Sequence, residues 1–419
     1  MEEVSLDAGI EEKIGEIQNA QILVGVPSYN NARTIGHVVR AILAGIAKYF
    51  PEKKTVLFNS DGGSTDGTME IVRNTIIDDY RSILLSQKTQ PFFKIAAPYS
   101  GIPGKGSAFK AVFEMARQLE AEACIVVDSD LRSITPEWVE LLLKPIIEHG
   151  FDYVAPLYHR HKFDGTITNS IVYPLTRALY GKRIRQPIGG DFGFSGELAR
   201  YYLTKNVWET DVARFGIDIW MTTTAIANNF KVCQSFLGAK IHDAKDPGAD
   251  LSSMMYQVVG SAFDLMDEYG SAWKKIHSSQ PVSVFGFEYA VGLEPISVNL
   301  ERMIERFRLG VRELSDLWKA FLPDDILKHL RRIESIDRNS FTIPDDLWAD
   351  IIYNFALAMH KRIMNKEHLL KSLTPLYIGR TASFFIENWT SEANEVEQRI
   401  EDLCNVFEER KYKLLNSWE

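Results

Sequence analysis

Between residues 21 and 128 four short apolar runs alternate with amphipathic segments, and this alternation constrains the fold more than any other feature of the chain. The runs are QILVGV (21–26), TVLFN (55–59), FFKIAA (92–97) and CIVVD (124–128). Each is bounded by turn-forming residues, which marks short buried strands. Between the first two, Ile35, Val38, Val39, Ile42, Leu43 and Ile46 fall on one helical face. MEIVRNTI (69–76) continues as a helix after the second run, and Phe109, Val112, Phe113 and Ala116 repeat the helical spacing before the fourth. Strand–helix alternation of this kind predicts an α/β fold, a mostly parallel sheet with helices on both faces. Ligands of such sheets bind beyond the carboxyl ends of the strands, so function is sought in the polar loops there.

From about residue 250 the pattern becomes helical. Met303, Ile304, Phe307, Val311, Leu314, Trp318 and Phe321 recur at helical spacing, as do Val396, Ile400, Leu403 and Phe407, with Pro323 and Pro344 as punctuation. The aromatic residues Trp318, Phe321, Trp348, Phe355 and Trp389 are read as core or subunit interface. The expected division is a polar, helical extension over 1–20, an α/β domain over 21–250 and a mainly helical region over 251–419.

Charge and cysteine usage narrow the function classes. Lys and Arg number 47 against 56 Asp and Glu, a net charge of −9. An acidic chain is a poor non-specific binder of nucleic acid or anionic membrane. Three cysteines, Cys124, Cys233 and Cys404, are far apart and fit no CxxC pattern, which argues against a disulfide framework or structural zinc. No run approaches the roughly 18 apolar residues of a membrane span, and the acidic N-terminus lacks a signal-peptide pattern. The expected address is the cytoplasm.

Three loops carry the chemistry. Asp128-Ser129-Asp130 ends the fourth strand, where two carboxylates two residues apart can hold a divalent cation and its diphosphate ligand. The loop 60–68, SDGGSTDGT, follows the second strand. Asp61 there can accept hydrogen bonds from a ribose or a base edge, and Asp66 or Thr65 can cap the next helix. Gly104-Lys105-Gly106 precedes a helix, so backbone amides and the Lys105 ammonium can meet a phosphate. The P-loop spacing is absent.

Together with Pro27-Ser28-Tyr29-Asn30, these loops resemble the nucleotide-sugar half of a GT-A glycosyltransferase over roughly residues 20–245. Pro27, Tyr29 and Asn30 match the first-strand exit P-x-x-N, SDGGSTDGT matches D-x-S-x-D-x-T, and DSD matches the metal-binding D-x-D. Further on, Gln186-Pro187-Ile188-Gly189-Gly190-Asp191, Phe215-Gly216-Ile217-Asp218 and Lys240-Ile241-His242 follow in order. They resemble the retaining α-glycosyltransferases of compatible-solute synthesis, the mannosylglycerate and glucosyl-3-phosphoglycerate synthases.

That resemblance implies a donor site of Pro27, Tyr29, Asn30, Asp61, Lys105, Asp128, Ser129, Gly189, Gly190 and Asp191. It implies a divalent cation on Asp130 and His242, with Asp128 on ribose or metal. An imidazole ligand shifts preference toward Mn²⁺ or Co²⁺ over Mg²⁺. Asp218 would lie near the reacting sugar, or serve as general base if the enzyme inverts; Asp130, Lys105 and Asp218 are the expected catalytic residues. Arg160, Asp164 and Thr168 match the glycerate-binding spacing, and an Arg can clamp a carboxylate.

The phosphoglycerate enzymes carry G-R-V-T where this chain has Gly165-Thr166-Ile167-Thr168. Thr166 therefore stands where they have an arginine, which favours free glycerate over 3-phosphoglycerate, although His159, His161 and Lys162 could supply compensating charge. The implied donors are GDP-mannose, GDP-glucose or UDP-glucose, and the implied assembly is a homodimer or homotetramer. An inverting GT-A transferase of polysaccharide or glycolipid synthesis and a non-catalytic nucleotide-sugar-binding protein remain the alternatives.

Overall fold

The computed structural model describes residues 8–76, 90, 92–241, 251–288 and 298–418. The chain divides into two compact units. The first comprises Met1–His159, Ile188–Lys245 and Val282–Leu293; the second comprises Arg160–Pro187, Asp246–Pro281 and Glu294–Glu419.

The first unit is built on an eight-stranded sheet. Its strands are β1 (Ile22–Ser28), β2 (Thr55–Asp61), β3 (Phe92–Pro98), β4 (Ala123–Val126), β5 (Tyr153–His159), β6 (Phe192–Ser195), β7 (Val232–Ala239) and β8 (Val284–Phe285). The spatial order is β8-β7-β5-β6-β4-β1-β2-β3. All pairs are parallel except those of β6, which runs antiparallel to both β4 and β5. The apolar runs read from the sequence are β1 to β4, and their lack of alternation is explained by burial on both faces. The helix expected after β1 spans Ile35–Tyr49, and all six residues of its predicted apolar face are buried. They join the core formed by Val24, Val26, Ile125, Trp138 and Leu142.

This topology gathers the site. Because β1, β2, β4, β5 and β7 point the same way, their carboxyl ends share one edge. The antiparallel β6 starts at that edge, so the Gly189-Gly190-Asp191 turn before it joins the same rim.

The second unit is mainly helical: its longer helices are Tyr173–Tyr180, Leu251–Glu268, Leu300–Trp318, Asp324–Glu334, Asp345–His360, Lys366–Glu387 and Ala393–Ser417. Pro323 and Pro344 stand immediately before two of them, where the missing N–H costs nothing. Helices Leu300–Trp318 and Lys366–Glu387 touch through glycines. A Cβ on Gly310 would lie 2.3 Å from Pro375 Cβ, and one on Gly379 2.3 Å from the Phe307 ring. Trp318, Trp348 and Phe355 are buried as expected, whereas Trp389 is 56% exposed. Its ring stacks on Phe163 instead.

A single cut near residue 250 does not describe this division. Residues 160–187 belong to the helical unit because Arg177 anchors them there. Its guanidinium is 2% exposed and donates to Glu401 at 2.5 Å, Glu408 at 2.6 Å, Asn405 at 2.8 Å and Ser279 at 3.0 Å. Arg177→Met leaves Glu401 and Glu408 without their guanidinium partner and is expected to cost about 3–5 kcal/mol. Chemical denaturation measures it; a loss below 1 kcal/mol, roughly the worth of a surface pair, would contradict the anchoring role.

Candidate functional site

At the strand-end rim three loops are stitched together by side chains. Ser28 Oγ donates to Asp61 Oδ2 at 2.6 Å and accepts from Asn59 Nδ2 at 2.8 Å. Asn31 Oδ1 accepts from Ser129 Oγ at 2.8 Å, and Thr34 Oγ1 donates to the Ser129 carbonyl at 2.8 Å. The β1 exit thus holds both the β2 loop and the D-x-D loop. Tyr29 stands 64% exposed at this exit. Asn30 beside it adopts φ 52° and accepts from the Thr65 amide at 3.0 Å.

Asp61 is engaged by its own loop and by Ser28. It is fully buried; Oδ1 accepts from the amides of Gly63 and Ser64, and Oδ2 from the hydroxyls of Ser28 and Ser64. A carboxylate so occupied organises its own loop. Asp66 starts the helix Thr68–Asn74 by accepting from the Thr68 amide and hydroxyl.

The centre of the site is a network of three carboxylates and two ammonium groups. Lys105, the first residue of helix Lys105–Gln118, lies 3.0 Å from Asp128 Oδ1 and 3.2 Å from Asp218 Oδ1. Lys240, just beyond β7, donates to Asp128 Oδ2 at 2.7 Å, Asp191 Oδ2 at 2.7 Å and the Gly189 carbonyl at 2.8 Å. Asp191 Oδ1 accepts from the Asp128 amide at 2.8 Å, and Tyr158 donates its hydroxyl to Asp191 Oδ2. Gly190 makes this closeness possible: its φ is 87°, and a Cβ would sit 2.2 Å from Asp128 Oδ2.

The electrostatics follow from burial and pairing. Burial acts to raise the Asp128 carboxyl, but Lys105 and Lys240 outweigh it and hold the group well below the usual carboxylate range. Burial likewise acts against the Lys105 ammonium, and Asp128 and Asp218 overcome it, raising the group. For Asp191 and Asp218 burial wins, aided by the neighbouring Asp128 charge, and both are raised.

Among the described residues no group of three or more His, Cys, Asp and Glu side chains is arranged to hold a metal ion. His242, the expected third ligand, lies outside the described residues. Its neighbour Ile241 is fixed to the loop that follows Asp130, through Arg132 N to Ile241 O at 2.8 Å and Ile241 N to Ser133 Oγ at 2.9 Å. Asp130 is half-buried.

The expected acceptor residues lie in the helical unit. Arg160 Nη1 donates to Asp164 Oδ2 at 3.3 Å. Gly165, at φ 65°, donates its amide to Asp164 Oδ1 at 2.7 Å. Thr166 Oγ1 shares a 2.5 Å hydrogen bond with the Tyr377 hydroxyl, and Thr168 begins a π-helix, Thr168–Val172. The cations expected to compensate for Thr166 are otherwise engaged. Lys162 Nζ donates to the carbonyls of Asn388, Trp389 and Ser391 at 2.8–3.0 Å. Burial, then Lys162, pushes the His161 imidazole down and favours its neutral form. His159 faces Glu288 at 3.4 Å.

Lys240 and Tyr158 are the residues the sequence reading left without a role. The available signal for Lys240 was a charged side chain ending the otherwise apolar run VCQSFLGAK.

Residues 23–202 match the model of Glycosyl transferase family 2. The class of protein that this match and the strand-end site support is a glycosyltransferase. More particularly, the chain is similar to the glucosyl-3-phosphoglycerate synthase of Petrotoga mobilis, 23% identical over 278 residues, 62% of this chain and 77% of the relative. Two solved structures of the Mycobacterium tuberculosis glucosyl-3-phosphoglycerate synthase are also similar. One is a complex with Mn²⁺, uridine diphosphate and glucosyl-3-phosphoglycerate, with a TM-score of 0.45 and 22% identity over 60% of this chain and 83% of that one. The other, with Mg²⁺ and uridine diphosphate, has a TM-score of 0.44 at the same identity and coverage. Among the described residues no helix is long and apolar enough to cross a membrane.

Proposed function

We propose that the chain is a metal-dependent, retaining α-glycosyltransferase that moves a hexose from a nucleotide-diphosphate sugar to D-glycerate. The observation that carries the donor half is the network of Lys105, Asp128, Asp191, Asp218 and Lys240 at the carboxyl ends of parallel strands. Hard carboxylate oxygens at this rim suit Mg²⁺ or Mn²⁺. The proposed ligands are Asp130 and His242, and the anchoring of Ile241 beside the Asp130 loop supports that pairing.

A bound cation would neutralise the departing diphosphate as a Lewis acid. The residues of the chain do the rest. Lys105, the first residue of its helix, offers its ammonium to the phosphates. Lys240 holds Asp128 and Asp191 in place, so the D-x-D loop is organised before the donor arrives. Asp218, fixed by Lys105, accepts hydrogen bonds from sugar hydroxyls. Tyr29, Asn30, Ser129 and the Gly189-Gly190 turn line the donor side. No nucleophile for a double displacement is assigned; retention, with attack on the face the diphosphate leaves, is what the family resemblance implies. UDP-glucose, GDP-glucose and GDP-mannose are the proposed donors.

The glycerate reading rests on the 160–168 loop. Arg160 can clamp one carboxylate, Thr168 can add a hydroxyl, and Thr166 brings no charge for a phosphate. The engagement of Lys162 and the neutral tendency of His161 support free glycerate over phosphoglycerate. The Petrotoga relative, whose name makes 3-phosphoglycerate its acceptor, keeps that compound as the second candidate.

Steady-state kinetics of Arg160→Ala test the acceptor assignment. Loss of a charge-assisted clamp is expected to raise the acceptor KM about tenfold or more with the donor KM unchanged. Equal effects on both constants would remove the assignment.

A further inference from the structure

The loop 160–168 is docked along one helix of its own unit, Lys366–Glu387. Just past the end of that helix, Lys162 Nζ donates to the carbonyls of Asn388, Trp389 and Ser391, where a cation also meets the negative end of the helix dipole. The neighbouring Phe163 ring lies 4.5 Å from the Phe385 ring and 5.8 Å from that of Trp389, centroid to centroid. About three turns earlier in the helix, the Tyr377 hydroxyl shares a 2.5 Å hydrogen bond with Thr166 Oγ1. The helix is itself held against helix Leu300–Trp318, where Pro375 meets Gly310 and Gly379 meets Phe307.

Tyr377 is 1% exposed, and burial pushes its phenol up to about 12, so the hydroxyl keeps its proton at neutral pH and needs a partner. Phenylalanine would fill nearly the same space without that need, so packing alone does not account for the hydroxyl. Thr166 is held a second time through its carbonyl, which accepts from Ser170 Oγ at 2.6 Å. Both anchors of the loop, Lys162 and Thr166, fall between Arg160 and Thr168. Fixing them therefore fixes how the two ends of the segment stand relative to each other.

We propose that Tyr377 is a positioning residue for the acceptor: acting through Thr166, it holds the loop 160–168 in the arrangement that presents Arg160 and Thr168 to a small hydroxy acid. This role rests on the acceptor reading of that loop. It makes the helical unit, through a residue 211 positions from Thr166 in the chain, a working part of acceptor binding.

Initial-rate kinetics with each substrate varied in turn test the role. Tyr377→Phe removes one oxygen and keeps the ring. It is expected to raise the acceptor KM about fivefold, the scale of one neutral hydrogen bond, with the donor KM unchanged. In a Thr166→Val background the same substitution is expected to change the acceptor KM no further, because the bond is already gone. Thr166→Ser keeps the hydroxyl and should stay close to wild type; compared with Thr166→Val, it reads the same bond even if Tyr377→Phe fails to fold. An unchanged acceptor KM in Tyr377→Phe, whatever its thermal midpoint, would overturn the role. So would equal rises in both KM values, additive effects in the double variant, or a Thr166→Ser as impaired as Thr166→Val. A wild type that transfers to no glyceryl acceptor would remove the acceptor reading and this role with it. Transfer that is sensitive to Arg160→Ala but indifferent to Tyr377→Phe would remove this role alone.

Discussion

Asp130→Ala is expected to lower kcat/KM for hexose transfer on the order of 10³-fold, the scale of losing a principal electrostatic stabiliser of the transition state. Asp128 is already held by two ammonium groups, at 3.0 Å from Lys105 and 2.7 Å from Lys240. With Asp128 thus engaged, Asp130 is the D-x-D carboxylate proposed to hold a cation. Removing it should weaken Mn²⁺ binding in the presence of nucleoside diphosphate, and raising Mn²⁺ should restore part of the activity. Steady-state kinetics across a Mn²⁺ series read both effects. Turnover within threefold of wild type would sink the metal assignment.

Lys240→Met should act on stability and activity together. Lys240 is 5% exposed at its side chain and joins Asp128, Asp191 and the Gly189 carbonyl. Methionine fills similar volume but leaves Asp128 and Asp191 facing each other across a turn that Gly190 keeps tight. Breaking a buried charge network from one side costs about 3–5 kcal/mol. A displaced D-x-D loop is expected to lose a further 10- to 100-fold in metal affinity or activity, the usual scale for a group that orients a ligand. Lys240→Arg keeps the charge and should recover stability more than turnover, because the longer planar group cannot reproduce three short contacts. Chemical denaturation and Mn²⁺ titration separate the two effects. Wild-type stability in Lys240→Met would show the network to be dispensable.

These expectations depend on features of unequal visibility in the sequence. The strands β1 to β4 were legible because central parallel strands are continuously apolar, and the helix over 35–49 because its buried face repeats at 3.6 residues. Strand β6, only four residues long, carries no periodicity, yet its antiparallel course brings Gly189, Gly190 and Asp191 to the site rim. Asp61 lies in a recognisable motif, but only the fold reveals that both its oxygens are occupied by its own loop and by Ser28. Lys240 pairs with residues 49 and 112 positions away, a separation that no local spacing rule encodes. The placement of 160–187 in the helical unit was hidden for the same reason: the partners of Arg177 come from residues 279 and 401–408.

The proposed reaction is transfer of a hexose to a glyceryl acceptor with retention. The most direct test incubates the purified protein with Mn²⁺ or Mg²⁺, each candidate donor (UDP-glucose, GDP-glucose or GDP-mannose), and D-glycerate or 3-phosphoglycerate. Proton and carbon NMR then read the anomeric configuration of the product. An α-linked glyceryl glycoside is expected, formed faster from glycerate than from phosphoglycerate. A β-linked product would contradict retention and make Asp218 a general base, and donor hydrolysis without transfer to either acceptor would contradict the acceptor assignment.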